Sequence, residues 1–238
     1  MKEHIRKIFH SLGLDIRYYN SFSVFGKQRE HILNHNGINL VLDVGANTGQ
    51  YASSLFRAGY RGRVVSFEPL KKAHNALAAK AGSNPNWHLA PRMAAGNSDG
   101  EIEINISGNS KSSSILGMNE VHLNADPRSA YIGKEKADIR RLDAVAKEYF
   151  REDSVAFLKL DVQGFEKHVL EGAVGILDRV KGIEVELSTV ALYKDQSLAR
   201  ELMEMIMDHG FGLWALDPFL YDPKSGRLLQ YDGIFIKN

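Results

Sequence analysis

Cysteine is absent from the 238 residues. That absence removes disulfides, thiolate zinc sites, iron–sulfur ligation and a thiol nucleophile together, and it suits a reducing compartment. No run of 18 apolar residues occurs, so no spanning helix is expected. Met1–Gly13 is charged throughout and lacks the apolar middle of a signal peptide, which predicts a cytoplasmic location. Proline is sparse, at 6 residues, and neither a Pro-rich linker nor an internal repeat divides the chain. An excess of charge is missing too: 30 Lys and Arg against 29 Asp and Glu leave +1. There is no global field to gather a polyanion, so nucleic acid is not an expected partner. With 44% apolar and 25% charged residues the composition is that of a folded domain, and the length suits one of them. Nothing here speaks to oligomeric state.

Residues 1–37 read as a helical N-terminal extension. Ile5, Ile8, Phe9 and Leu12 share one helix face, Gly13 is placed to end it, and Lys2, Arg6 and Lys7 take the other side. Such a face packs on its own domain, with peripheral membrane contact as the alternative. A second helix is predicted over 27–36, ending at Gly37. From residue 38 onward, short apolar runs alternate with helical patterns. Asn39–Asp43, Arg63–Phe67, Trp87–Leu89, Glu101–Ile106, Val155–Leu160, Ile183–Leu187, Phe211–Leu216 and Gly233–Ile236 read as strands. Helices are expected at Gln50–Ala58, Lys71–Ala81, Phe165–Leu177 and Ser197–Asp208. This alternation predicts an α/β domain over 38–238 with a doubly wound, mostly parallel sheet and an antiparallel hairpin at its C-terminal end. Residues 107–137 are polar and nearly aperiodic, and a structureless stretch of that length points to an active-site lid. The stripe Leu198, Leu202, Met205, Ile206, His209 reads as core packing.

Chemistry concentrates after the first strand, in Val41-Leu-Asp-Val-Gly-Ala-Asn-Thr-Gly-Gln50. In a doubly wound sheet this loop faces the crevice where ligands bind. Gly45 and Gly49 let the backbone come close to a ligand, and Thr48 is placed to cap the next helix. The spacing is not the dinucleotide fingerprint, and Asp43 would repel a pyrophosphate. A ligand carrying an ammonium or a sulfonium without phosphate suits it, and S-adenosylmethionine is such a ligand. Glu68, 25 residues on, ends the second strand, where an acid accepts both ribose hydroxyls.

These segments resemble the FkbM-type S-adenosylmethionine-dependent methyltransferases. The resemblance rests on Asp43–Gln50, Phe67-Glu-Pro69, Ala94–Gly100, Arg141-Leu-Asp143, Leu160–Glu166 and Val169–Ala173, in that order, and covers roughly 38–236. It implies a class I Rossmann-like methyltransferase fold with an antiparallel final strand, and O-methylation of sugars or polyketide-type natural products. Asp43, Gly45, Asn47 and Gly49 would then line the methionine moiety, Glu68 the ribose, and Ala94 to Asn97 the adenine edge. The acceptor itself, a small molecule or glycoconjugate, does not follow from the resemblance.

The remaining acids agree with this. Asp161 closes an apolar strand and points into the crevice, while Glu166 lies in the first turn of the next helix, as a cap or as a substrate contact. Glu184 and Glu186 face the same side of their strand, Glu186 nearer the crevice. Asp161 is the expected general base, with Glu186 and His168 as alternates. Asp161 and Glu186 are also the pair that could hold a divalent cation, though a metal-free base is preferred. Ser112, Ser113 and Ser114 are placed to close over donor and acceptor. His31 and His35 lack the zinc-protease Glu and read as a solvated helix face, and His88 as a strand residue. Tyr18, Tyr19, Phe22, Phe219 and Tyr221 could form a sugar-stacking wall or seal the N-terminal helix. The competing readings are a nucleic-acid or other non-sugar methyltransferase, and a nucleotide-binding module or nicotinamide-dependent oxidoreductase on a similar sheet.

Overall fold

The computed structural model describes residues 7, 9–13 and 24–237. Ile5 and Ile8 of the predicted amphipathic face, and Tyr18, Tyr19 and Phe22, lie outside them. In chain order the elements begin with α1 (Phe25–His35), β1 (Leu40–Val44), α2 (Gln50–Ala58), β2 (Arg63–Phe67), α3 (Lys71–Ala81) and β3 (Trp87–Leu89). Then come β4 (Ala94–Gly96), β5 (Gly100–Ser107), α4 (Glu120–Ala125), β6 (Tyr131–Arg141), α5 (Leu142–Ala146) and β7 (Ala156–Leu160). The chain ends with α6 (Glu166–Ala173), β8 (Val180–Ser188), α7 (Ala199–Asp208), β9 (Phe211–Tyr221) and β10 (Leu228–Lys237).

The main sheet has the strand order β3-β2-β1-β7-β8-β10-β9. β1 pairs in parallel with β2 and with β7, β7 with β8, and β2 with β3. The expected hairpin is β9–β10. Its antiparallel member, β10, lies one place in from the edge, between β8 and β9. The winding runs outward from β1 to β3 and then resumes on the other side with β7, so the strand order reverses between β1 and β7. That is the point at which open α/β sheets hold their ligands.

Every residue of β1 and of β7 is buried, which is why both read as apolar runs, broken only by Asp43 and Lys159. Their alternate side chains enter two cores. Leu40, Leu42, Leu158 and Leu160 pack against Val169 and Leu170 of α6 and Leu202 and Ile206 of α7. Val41 and Phe157 pack on the other face against Ile32 and Leu33 of α1, Leu55 of α2 and Leu77 of α3. Each such side chain contributes about 1.5–3 kcal/mol by leaving water. Residues 25–35 are therefore part of the sheet's own core.

A smaller sheet, β4-β6-β5, lies beside the first and brings Ile104, Ala137 and Ile139 into the α6 core. This corrects the expectation for residues 107–137. They contain an isolated bridge from Ser114 to Asn105, the short α4, a tight turn at Pro127–Ser129, and from Tyr131 onward the central strand of the second sheet. Among the described residues, no helix is long and apolar enough to cross a membrane.

Candidate active site

The loops leaving β1 and β7 interlock. Asp161 N donates to Val44 O at 3.1 Å. Gly45 has φ +84°, and a Cβ on it would stand 1.9 Å from the Asp161 carbonyl oxygen, so only glycine fits there. The expected cap from Thr48 is not formed. Instead Gly49, at φ +80°, starts α2 without a side-chain cap, and the Thr48 carbonyl accepts from Lys80 Nζ at 2.5 Å. Above these loops opens a cleft of about 760 Å³, within the range of small-molecule sites.

One half of the cleft is built from β1, β2 and their loops. Asp43 is 2% exposed and its Oδ2 accepts from Ser66 Oγ at 3.0 Å. Burial pushes this carboxyl up to about 7, against the opposing pull of Ser66 and Lys159. Glu68 accepts from the backbone of Asn47 at 2.8 Å and of Leu70 at 2.9 Å, and burial pushes it up to about 7 as well. Each of its oxygens keeps a second lone pair for a ligand. Asn47 has φ +48° and donates from Nδ2 to Ser110 O at 3.2 Å. Its Oδ1 is buried with no partner among the described residues. Ala94 also lines this half. Gly49 and Asn97 do not line the cleft: Gly49 faces Trp87, and Asn97 binds Glu171 at 2.7 Å.

The other half carries a row of charges across the strands. Asp43, Lys159 and Glu184 are register partners on β1, β7 and β8, so all three face the same side of the sheet. Lys159 is 4% exposed, with Nζ 3.7 Å from both Asp161 Oδ2 and Asp232 Oδ1. Burial works against its ammonium, but Asp232, Asp161 and the two glutamates outweigh that and hold it charged. Glu184 is enclosed by Arg29 of α1, which donates from Nε at 2.7 Å and Nη2 at 2.5 Å, and by the Tyr51 hydroxyl at 2.8 Å. The guanidinium lies between the rings of Phe25 and Tyr51, 4.8 and 4.9 Å from their centroids. Beyond this row, Gln163 Nε2 donates to Asp161 Oδ1 at 2.7 Å and to Glu186 Oε2 at 3.1 Å. The Tyr193 hydroxyl fixes that amide by donating to Gln163 Oε1 at 2.6 Å. Glu186 also accepts from Gln230, and burial, with Asp161 and Glu166 beside it, pushes its carboxyl well above the usual carboxylate range.

Asp161 and Glu186 are thus brought together through the Gln163 amide. His168 is not: its ring stacks on Phe165 at 4.1 Å and does not line the cleft. Glu166 is a clasp rather than a cleft residue, accepting at 3.1 Å from the backbone of both Val162 and Gly164. Ser112, Ser113 and Ser114 do line the cleft, and Ser114 Oγ donates to Gln163 O at 2.6 Å, tying this wall to the β7 loop. Phe219 lines it and Tyr221 does not. His31 and His35 are exposed and stacked on each other. Among the described residues, no group of three or more His, Asp or Glu side chains is arranged to hold a metal ion. Sequence reasoning missed Arg29, Lys159, Gln163 and Asp232. A signal existed for Lys159, because a lysine inside a fully apolar parallel strand needs a buried counter-charge.

The methyltransferase FkbM domain model matches residues 43–213. The 2-O-methyltransferase NoeI of Sinorhizobium fredii (strain NBRC 101917 / NGR234) is 25% identical over 173 residues, 70% of each chain. Among solved structures, magnesium protoporphyrin IX methyltransferase (ChlM) from Synechocystis PCC 6803, with bound S-adenosylmethionine, aligns over 100% of this chain and 97% of its own. The identity is 11% and the TM-score 0.48. An rRNA methylase from Streptococcus thermophilus aligns over 93% and 99%, at 14% identity and a TM-score of 0.48.

Proposed function

The chain belongs to the FkbM methyltransferase family, and from that membership we propose that it is an S-adenosylmethionine-dependent O-methyltransferase acting on a sugar hydroxyl of a glycolipid, polysaccharide or natural product. The observation that carries this reading is the double position of Asp161. Its backbone closes against Gly45 of the β1 loop, while its carboxylate, 41% exposed, opens on the cleft. One residue thereby joins a donor half to an acceptor half.

The residues of the donor half fit the cofactor. Asn47 Oδ1 is a buried acceptor awaiting a donor, Glu68 has lone pairs left for two ribose hydroxyls, and Asp43 favours a cation. Two carboxylates at these strand ends would oppose a pyrophosphate. Asp43, Gly45 and Asn47 would hold the methionine part, Glu68 the ribose and Ala94 the adenine edge. When bound, S-adenosylmethionine supplies an electrophilic methyl group on its sulfonium.

The chain's own part is alignment and proton removal. A hydroxyl is a weak nucleophile until its proton leaves, and Asp161 is the cleft carboxylate placed to take it. Gln163, fixed by Tyr193, holds Asp161 in place from one side. Glu186 already accepts from Gln163 and Gln230, and it serves to orient Gln163. The name of the 2-O-methyltransferase relative supports transfer to oxygen.

Calorimetry with S-adenosylhomocysteine and with NAD tests the donor: binding of the first and not of the second is expected, and the reverse would overturn the reading. Asp161→Asn is expected to lower turnover by about 10²–10⁴-fold and to leave S-adenosylhomocysteine affinity within about threefold, a difference under 1 kcal/mol. Undiminished turnover removes Asp161 as the base.

A further inference from the structure

Methyl transfer with Asp161 as base leaves two neighbours of that residue without a part, Lys159 and Asp232. An ammonium as deeply buried as Lys159 has three donors to satisfy. Among the described residues it makes one hydrogen bond, to Leu160 O at 3.3 Å. Its counter-charges, Asp161 Oδ2 and Asp232 Oδ1, both stand at 3.7 Å, near enough to compensate the charge and too far to accept a hydrogen bond. All three side chains line the cleft. Glu184, the cross-strand neighbour of Lys159, is already taken by Arg29 and Tyr51. The free donors of Lys159 are thus left to whatever enters between it and the two aspartates.

A group in either gap must accept from an ammonium and donate to a carboxylate. A hydroxyl does both; a phosphate or carboxylate would meet two like charges, and an amine would meet Lys159. There are two such gaps on one ammonium. We propose that Lys159, flanked by Asp161 and Asp232, binds the acceptor as a vicinal diol: the hydroxyl between Lys159 and Asp161 is the one methylated, and its neighbour lies between Lys159 and Asp232. This rests on the O-methyltransferase reading above. In the reacting position the O–H bond breaks, the proton passes to Asp161 Oδ2, and the bonding pair stays on oxygen. Lys159 donates to that oxygen as its negative charge grows, which makes it a catalytic residue. The second hydroxyl keeps its proton and fixes which position reacts.

A glycan microarray incubated with the enzyme and radiolabelled S-adenosylmethionine provides the test. Every labelled glycan should carry a free hydroxyl on the carbon next to the methylated one. For the wild-type enzyme, removing that neighbouring hydroxyl should raise KM about tenfold or more, the effect of one hydrogen bond to a charged group. Asp232→Asn should raise KM similarly with kcat nearly kept. Lys159→Met should lower kcat by about a hundredfold. Calorimetric titration of the S-adenosylhomocysteine-loaded protein with a labelled glycan gives a readout free of turnover: Asp232→Asn should weaken that binding about tenfold and leave S-adenosylhomocysteine affinity unchanged. A labelled glycan with no neighbouring hydroxyl, or a deoxy glycan with an unchanged KM, overturns the diol subsite alone. No labelled glycan from a protein that binds S-adenosylhomocysteine overturns the sugar reading and the subsite with it. Should a variant fail to fold, the deoxy-glycan comparison on wild-type enzyme decides.

Discussion

Replacing Arg29 by Met is expected to destabilise the protein by about 3–5 kcal/mol, because it strands a carboxylate with no access to water. Glu184 is 0% exposed, and both oxygens that now face the guanidinium would lose it together. The Tyr51 hydroxyl at 2.8 Å remains as a partner and draws the loss toward the lower end of that range. Methionine keeps an apolar body between the rings of Phe25 and Tyr51, so the change reports mainly on charge. For a chain of this size each kcal/mol moves Tm by about 2–4 °C, which gives a fall of about 6–20 °C. The control is the double variant Arg29→Met/Glu184→Met, which leaves no unpaired charge and should recover most of the loss. Urea titrations of wild type, single and double variants, followed by circular dichroism, measure all three. A single variant within 1 kcal/mol of wild type, on the scale of a surface pair, would refute the argument, and so would a double variant no more stable than the single. The single variant should also lose turnover, since an unpaired Glu184 would compete for the Lys159 ammonium.

The buried acids give a pH signature. Asp43 and Glu68 lie at about 7 in the folded chain, above their ordinary 3.8 and 4.5. The folded state therefore holds extra protons between about pH 4 and 7, and the free protein should lose stability as pH rises through that window. On the donor site proposed above, binding needs the ionised forms, so calorimetric affinity for S-adenosylmethionine should rise from about pH 6 to 8. Asp43→Asn should flatten the trend, and a flat wild-type profile would count against it. Gly45→Ala combines left-handed strain of about 1–3 kcal/mol with a clash against Asp161 O; S-adenosylhomocysteine binding by calorimetry should weaken at least tenfold, and wild-type affinity would show that the loops do not interlock. Ser114→Ala removes the bond to Gln163 O, worth about 1 kcal/mol. Hydrogen exchange at residues 108–118 should then quicken, and unchanged exchange would show that the tether is not there.

The half of the cleft built from β1 and β2 was legible because its signals are local. β1 and β2 are short, mostly apolar strands with Asp43 and Glu68 at or just past their C-terminal ends, and the glycines between them mark a backbone that must turn and stay thin. β6 was not legible. It is solvated along most of its length, it pairs through Lys134 with Glu103 and Lys136 with Glu101, and it buries little besides Ala137 and Ile139. A strand held by charge pairs shows no apolar alternation, so it reads as loop. Arg29 was hidden for another reason. Its partner Glu184 is distant in sequence, and nothing near Arg29 distinguishes a buried guanidinium from the basic face of a surface helix. Thr48 shows a local rule overridden: a favoured capping residue stands beside the helix start, but Gly49, in the left-handed region and with no side-chain cap, is the residue that precedes the helix.

The pairing of β5 with β6 has a consequence for how such an enzyme diversifies. The pairing ends at Ser107 opposite Tyr131, one register shift past Ile106, so the two ends of 108–130 stand side by side, while the middle of the segment is tied to the rest of the chain where Met118 bridges Tyr193 and Gly117 O accepts from Lys194 N. Between its ties such a segment can be lengthened at little thermodynamic penalty, about 0.6 kcal/mol for each doubling of a flexible stretch. The interlocked loops at Gly45 and Asp161 allow no such freedom. Changes of acceptor are therefore expected between the ties of this wall, and exchanging 108–130 between relatives together with the 191–194 segment that it bridges is the direct laboratory test.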